Sequence, residues 1–375
     1  MALREFEEVL PGKNIPIIVG KSSPLCYIKN TPIEFHSAES LKRKLSAGEC
    51  EAVIFHSLPD VKLLNLIPEE IKVVWIGWGY DYYQRLLVES FPDGLFLPKT
   101  RNLYEKLSAP PRFSKVKTLI KAMFKISEAN TNLLLSRVDF FSPVIDVEYH
   151  LARNNNSWFR AKYLEWNYGT VEDDLSASED SKQNHVLGGN ILVGNNAYFE
   201  NNHLEVFETL KSNVDLKGKD IFVPLSYGSS SYKEKLINIG KTMFGTQFVP
   251  LTDFVEKKEY IKLLQSCGYV FMNHIRQQAL ANICIMMLKG ARIYMNSASP
   301  LYRWFLDRGA VIDSMETIEN IEGNCPFALE PLSKVEQLNN IDIINKHWGR
   351  EMQRVRTHNL VDLIFAAEPT GSTND

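Results

Sequence analysis

Cysteine is scarce in this chain, and what there is stays unpaired. The five cysteines in 375 residues (Cys26, Cys50, Cys267, Cys284 and Cys325) are scattered, odd in number and never spaced as CxxC. That pattern argues against a disulfide framework or a cysteine zinc site and fits reduced thiols in a cytoplasmic protein. Long apolar runs are also missing. No segment approaches about eighteen consecutive apolar residues, so none is expected to span a membrane, and the residues from Met1 to Glu8 lack the apolar core of a signal peptide. A basic excess is absent too: the net charge is -3, which speaks against nucleic-acid binding. Neither a GxGxxG fingerprint nor a GxxxxGK[ST] loop occurs, which disfavours NAD enzymes and P-loop NTPases. No Asp-x-Asp stands at a strand end to clamp a metal diphosphate, and His150, His185, His347 and His358 stand alone without ligand spacing. No metal and no cofactor are expected.

What is present is alternation. With 45% hydrophobic and 23% charged residues, the chain can bury two sizeable cores. Short apolar runs at Ile15–Val19, Ala52–Phe55 and Val73–Ile76 predict buried strands, the first beginning at or just after Pro16. Asp139–Val144 is a further candidate strand. Ser40–Leu45 and Lys62–Leu66 predict helices between them. The stretch 171–184 is acidic and polar, and reads as a loop or linker. A second block of strands follows at Asn190–Val193, Ile221–Leu225, Gln247–Pro250, Tyr269–Met272 and Arg292–Met295. Helices are predicted from about Asn202, over Tyr232–Ile239 and over Lys257–Gln265. This is an α/β chain with largely parallel sheets. Its domains are expected at 1–184 (with a polar insertion at about 151–184) and 185–335. Helices at 336–367 are expected to return to the first domain, with a disordered tail at 368–375.

The chemistry gathers at strand ends. Tyr269–Met272 is followed by Asn273, His274, Arg276, Gln277 and Gln278, and then by an apolar helix in which Ala279, Leu280, Ile283, Met286 and Met287 recur before Gly290. A cation and amides at the carboxyl end of a strand and the start of a helix suit an anion such as a diphosphate. Two further loops share this position. Gly194 and Asn195 precede Asn202 and His203, with glycine allowing close backbone approach. Tyr227 and Gly228 follow the next strand, and Tyr227 can stack on a base or sugar. Together the three loops predict a nucleotide pocket, although each alone is compatible with ordinary turn and cap residues. In the first block, Trp78, Gly79 and Tyr80 offer flat faces and backbone room for an acceptor sugar. Asp81 is a candidate general base for an acceptor hydroxyl, with a helix-cap role as the alternative. His56 fits a structural or acceptor-side place better than a metal ligand. Residues 112–125 form a basic amphipathic stretch, with Lys115, Lys117, Lys121 and Lys125. It suits either an anionic membrane surface, at about 1 kcal/mol per lysine, or an ordinary surface helix.

These motifs resemble the bacterial TDP-N-acetylfucosamine:lipid II N-acetylfucosaminyltransferase family. The matching residues are Trp78-Gly79-x-Asp81, Ile191-Leu-Val-Gly-Asn195 with Asn202 and His203, and Val223-Pro-x-x-Tyr-Gly228. Leu263-Leu-x-x-Cys267 and Arg276-Gln-Gln278 complete the set. The resemblance runs from about Ala52 to Asp313. It implies a GT-B fold, two Rossmann-like domains facing a cleft, with a nucleoside-diphosphate sugar on the C-terminal domain. It also implies metal-independent transfer to a polyprenyl-diphosphate-linked saccharide at the cytoplasmic face of the bacterial inner membrane, in enterobacterial common antigen or O-antigen-like synthesis. Two departures stand out. The family's first strand with its glycine and histidine loop has no counterpart at the N-terminus, and a longer polar insertion precedes the donor domain. A sugar-nucleotide epimerase and a non-catalytic sugar-nucleotide-binding protein are the alternatives that the residues leave open.

Overall fold

The computed structural model describes residues 2–20, 32–48, 50–108, 130–175, 188–319 and 326–366. The basic stretch 112–125, the tail from 368, Cys26 and Cys325 lie outside the described residues. Packing divides the chain into two units. The first draws on residues 1–90, 114–168 and 351–375, and the second on 91–113 and 169–350. The sequence pattern instead placed the boundaries near 184 and 335, and it held no signal that 91–113 joins the second unit.

In the first unit, β1 (Ile17–Val19) and β2 (Glu34–His36) form a parallel pair. Pro16 stands just before β1 and contributes only its carbonyl, which accepts the Glu34 N–H at 2.9 Å. A residue without a backbone donor is tolerated at a strand start for that reason. β3 (Ala52–His56), β4 (Lys72–Ile76), β5 (Phe140–Ser142) and β6 (Lys162–Tyr163) make a four-stranded, all-parallel sheet in that order. The predicted helix at Lys62–Leu66 is instead a 3-10 helix over Val61–Leu66, with Asp60 accepting the Lys62 N–H at 3.0 Å. Its buried residues Val61 and Leu64 and the buried Ile67 that caps it recur every third position, the period of that tighter turn. Val74, Ile76, Phe140, Leu164 and Trp166 pack with Phe6 and with Leu360, Val361 and Ile364 of the helix Arg350–Phe365. The Trp166 indole N–H donates to the Thr357 hydroxyl at 3.0 Å, which fixes that helix on the sheet.

The second unit holds β7 (Asn190–Val193), β8 (Ile221–Pro224), β9 (Phe248–Leu251), β10 (Cys267–Met272), β11 (Arg292–Met295) and β12 (Asp313–Ser314). Every pairing is parallel, and the sheet order is β9-β8-β7-β10-β11-β12. Counted from the first strand of the unit, that is 3-2-1-4-5-6, the doubly wound arrangement of mononucleotide-binding halves. The chain reverses direction of growth between β7 and β10. Ile191, Leu192 and Val193 in β7 and Val270 to Met272 in β10 are essentially inaccessible, which accounts for their unbroken apolar runs. Arg292 grips Asp313 through Nε at 2.7 Å and Nη2 at 3.2 Å, tying β11 to the short edge strand.

Candidate active site

In an open doubly wound sheet, ligands bind beyond the carboxyl ends of the strands where the order reverses. Here that point is flanked by the loop after β7 (residues 194–202) and the loop after β10 (residues 273–279). Gly194 opens the first loop at φ +66°. A Cβ at this position would lie 2.6 Å from Asn201 Oδ1 and 2.7 Å from His203 Nε2, so only glycine fits. Asn201 is the centre of the loop. Its amide nitrogen donates to Asn196 Oδ1 at 2.9 Å and to the Tyr198 carbonyl at 3.1 Å. Its Oδ1 accepts the Asn195 N–H and His274 Nε2, both at 2.9 Å. Because that oxygen can only accept, the network assigns the proton of the neutral His274 to Nε2.

The two loops are joined directly. Gln278 Nε2 donates to Asn195 Oδ1 at 3.0 Å. Asn202, at φ +50°, donates to the Asn273 carbonyl at 2.9 Å and accepts the Leu97 N–H at 2.9 Å. Asn202 is therefore a clamp between backbone segments, wholly buried, and not a group presented to a ligand. Asn273 Oδ1 accepts from Asn296 Nδ2 at 2.9 Å. Asn296 follows β11 and was missed, although it stands at a strand end like the residues that were singled out.

Four buried polar atoms around this knot have no hydrogen-bond partner: His203 Nε2, Asn273 Nδ2, Gln278 Oε1 and Ser299 Oγ. Such atoms are rare in a folded protein, because each carries a desolvation cost of about 1–3 kcal/mol. Their concentration at the switch point marks it as the place where polar partners belong. Arg276 sits half-buried in the same loop, with Nη1 donating to the Gln277 carbonyl at 3.1 Å. The helix begins only at Leu280, after Ala279 at φ +61°. Arg276, Gln277 and Gln278 thus belong to the loop and not, as the sequence suggested, to the first turn of the helix. Gln277 is buried. On the third loop, Tyr227 is 54% exposed and meets the Tyr198 ring edge-on at 6.2 Å. Gly228, at φ +119°, leaves room for Ala197, whose backbone an added Cβ would approach to 2.5 Å. Tyr198 was not singled out from the sequence.

Burial sets the charge of the histidines. His203 is lowered to about 3, and His274 falls well below the ordinary range through burial, with the neighbouring Arg276 and His203 adding to the effect. Both are neutral at physiological pH. The unfolded chain, with histidines near 6.5, binds protons that the folded chain refuses. Stability is therefore complete above about pH 6.5 and declines as the pH falls toward the folded values. We expect thermal unfolding midpoints to begin dropping below pH 6.5, earlier than carboxylate titration alone would bring about. His203→Gln should flatten that slope between pH 6.5 and 4, and an unaltered slope would contradict the assignment.

The first unit carries a separate group at the carboxyl edge of its sheet. Trp78 and Tyr80 are 52% and 56% exposed, as side chains offered to a ligand should be. Gly79 sits at φ +89° between them. Asp81 behaves differently from the expected proton acceptor. It is 4% exposed, and its oxygens accept the Leu58 N–H at 2.9 Å, the Trp75 indole N–H at 2.8 Å and the Trp78 N–H at 2.8 Å. Three donors on a buried carboxylate make it the clamp that shapes this loop. Among the described residues, no group of three His, Cys, Asp or Glu side chains is placed to hold a metal ion, and no helix is long and apolar enough to cross a membrane.

Solved structures share this architecture. WaaG, a glycosyltransferase involved in lipopolysaccharide biosynthesis, superimposes with a TM-score of 0.52 at 10% identity, over 98% of this chain and 95% of that one. The N-terminal domain of Candida albicans trehalose-6-phosphate phosphatase gives 0.54 at 9% identity, over 87% and 73%. OtsA in its apo form gives 0.50 at 9% identity, over 88% and 78%. The fold is GT-B. Within it, a family model described as 4-alpha-L-fucosyltransferase, glycosyl transferase group 56, matches residues 138–318. That span takes in all six strands of the second unit and every residue of the switch-point network except Leu97. The resemblance carried by the sequence motifs is thereby borne out, and the chain is a glycosyltransferase.

Proposed function

We propose that the protein transfers an acetamido-dideoxyhexose from a nucleoside-diphosphate sugar of the TDP-N-acetylfucosamine type to a polyprenyl-diphosphate-linked saccharide. The reaction would belong to surface glycan synthesis at the cytoplasmic face of the inner membrane. The observation that carries this reading is the set of unpartnered buried polar atoms at the switch point of a sheet matched by the fucosyltransferase model. Gly194 and Asn195 bring backbone to the donor, Gln277 and Gln278 provide amides, and Tyr227 and Gly228 frame the base. His203, Asn202 and Asn273 hold those loops in place. Arg276 supplies positive charge to the departing diphosphate, the part played by a divalent ion in metal-dependent transferases. Trp78 and Tyr80 take the acceptor sugar by stacking on their exposed rings, and Gly79 between them leaves backbone room for it. Asp81 keeps that loop in shape.

Metal independence follows from assigning charge neutralisation to a fixed guanidinium. Transfer from TDP-N-acetylfucosamine to a lipid-linked disaccharide, followed by product chromatography, should proceed at an unchanged rate in excess EDTA. A strict requirement for added magnesium or manganese would overturn this part of the reading. Sugar that changes configuration without leaving the nucleotide would replace the transferase by an epimerase.

A further inference from the structure

With Asp81 occupied, the acceptor hydroxyl needs another proton acceptor, and the first unit has one. His56 ends β3 in an exposed position, at the carboxyl edge of the parallel sheet, one residue from the strained turn at Ser57. Ser57 has φ +75°, a conformation that a side-chain-bearing residue adopts at a cost and that recurs at functional sites. The Ser57 hydroxyl lies 2.6 Å from the Tyr80 hydroxyl, so the turn is tied to the exposed acceptor loop. His56 Nδ1 is 2.8 Å from the Tyr168 hydroxyl. The imidazole is edged by Phe6 at 6.0 Å, Trp166 at 5.9 Å and Tyr168 at 5.6 Å, measured between ring centroids. Tyr168 in turn meets the Trp78 ring at 4.7 Å. One connected group therefore links a histidine to both exposed aromatic side chains, Trp78 and Tyr80.

From this juxtaposition we propose that His56 is the general base of the transfer reaction and that Tyr168 is its positioning residue. The inference rests on the glycosyl-transfer reading above. In the tautomer that serves this role, Nδ1–H donates to the Tyr168 hydroxyl oxygen and leaves the Nε2 lone pair available. Nε2 takes the proton of the acceptor hydroxyl as that oxygen bonds to the anomeric carbon. The bond from that carbon to the diphosphate oxygen breaks, and its electron pair leaves with the nucleoside diphosphate. Although the residue as a whole keeps surface open to solvent, its imidazole is packed among the Phe6, Trp166 and Tyr168 rings, and that desolvation lowers its pKa to about 4, so the ring is neutral at physiological pH. The Tyr168 hydroxyl, raised above its ordinary value by burial, stays protonated. A triad-like logic results, in which a third group orients the base.

The test is kinetic. His56→Ala should lower kcat for release of TDP from TDP-N-acetylfucosamine in the presence of lipid-linked disaccharide by about a hundredfold or more, the usual worth of a general base. KM for the donor and the thermal shift given by TDP should be unchanged. Added imidazole should restore part of the lost rate, which a purely structural defect would not allow. Tyr168→Phe should lower kcat without raising KM. A His56→Ala protein that keeps kcat within about threefold of wild type, or that loses activity with no response to imidazole while still binding TDP, overturns the assignment. Absence of any transfer by the wild-type protein would instead remove the functional reading on which it rests.

Discussion

Arg276→Ala is expected to cut turnover by about a hundredfold or more while leaving the fold intact. The magnitude is that of removing one donor aimed at developing negative charge, about 2.7–4 kcal/mol in the transition state. The side chain lies half-buried in the loop after β10, outside both the strand and the helix that flank it, and donates to the Gln277 carbonyl at 3.1 Å. The loss should fall mainly on kcat, because charge on the leaving diphosphate grows as the glycosidic bond breaks. Arg276→Lys should recover only part of the rate, since an ammonium cannot reproduce the planar fork that pairs with two phosphate oxygens. Steady-state kinetics on the two variants would decide. Near-normal transfer by Arg276→Ala would remove this residue from the mechanism.

Gly194→Ala should be the most damaging small substitution in the second unit. The backbone at φ +66° disfavours any residue with a Cβ, and the added methyl group would sit 2.6 Å from Asn201 Oδ1 and 2.7 Å from His203 Nε2. Neither neighbour can step aside. Asn201 is fixed by four hydrogen bonds to Asn195, Asn196, Tyr198 and His274, and His203 is wholly buried. Strain and overpacking together cost about 3 kcal/mol, or roughly 10 °C in melting temperature for a unit of this size. The displaced Asn201 would release Asn195 and His274 together, so nucleotide binding should be lost even where the protein still folds. A differential scanning experiment that finds an unchanged midpoint would show that the loop is more pliable than its contacts imply.

How much of this was legible in the sequence depends on range. Strands buried on both faces announce themselves by apolar runs, and β4, β7, β10 and β11 lie within a residue or two of their predicted places. The helix after β10 stops where Gly290, at φ +86°, allows it to stop. Its start could not be read, because Ala279 adopts a left-handed conformation that no local preference for alanine signals. The assignment of 91–113 to the second unit rests on contacts about a hundred residues away in sequence. The Glu205 carboxylate accepts the N–H groups of Lys99 and Thr100 at 2.8 and 3.0 Å, and nothing in either segment names the other.

The same limit shaped the site. The three strand-end loops were visible because asparagine, glycine, glutamine and arginine clustered after apolar runs. Which of these residues face a ligand and which brace the loops is decided by partners, and Asn202 and Asp81 both proved to be braces. Asp81 was a plausible base on type and position alone. Its three donors come from Leu58, Trp75 and Trp78, and only the folded chain brings Leu58 to it. His56 looked unremarkable in the sequence for the converse reason, since the Tyr168 hydroxyl that holds it lies 112 residues further on.

The central claim is that the switch point between β7 and β10 binds the nucleoside diphosphate of a sugar donor. Titration calorimetry with TDP addresses it most directly, using the wild-type protein beside Gly194→Ala and His56→Ala. The account predicts saturable binding of TDP by the wild type and by His56→Ala with equal affinity, and none by Gly194→Ala. Binding that survives in Gly194→Ala but disappears in His56→Ala would contradict it, because the nucleotide would then belong to the first unit.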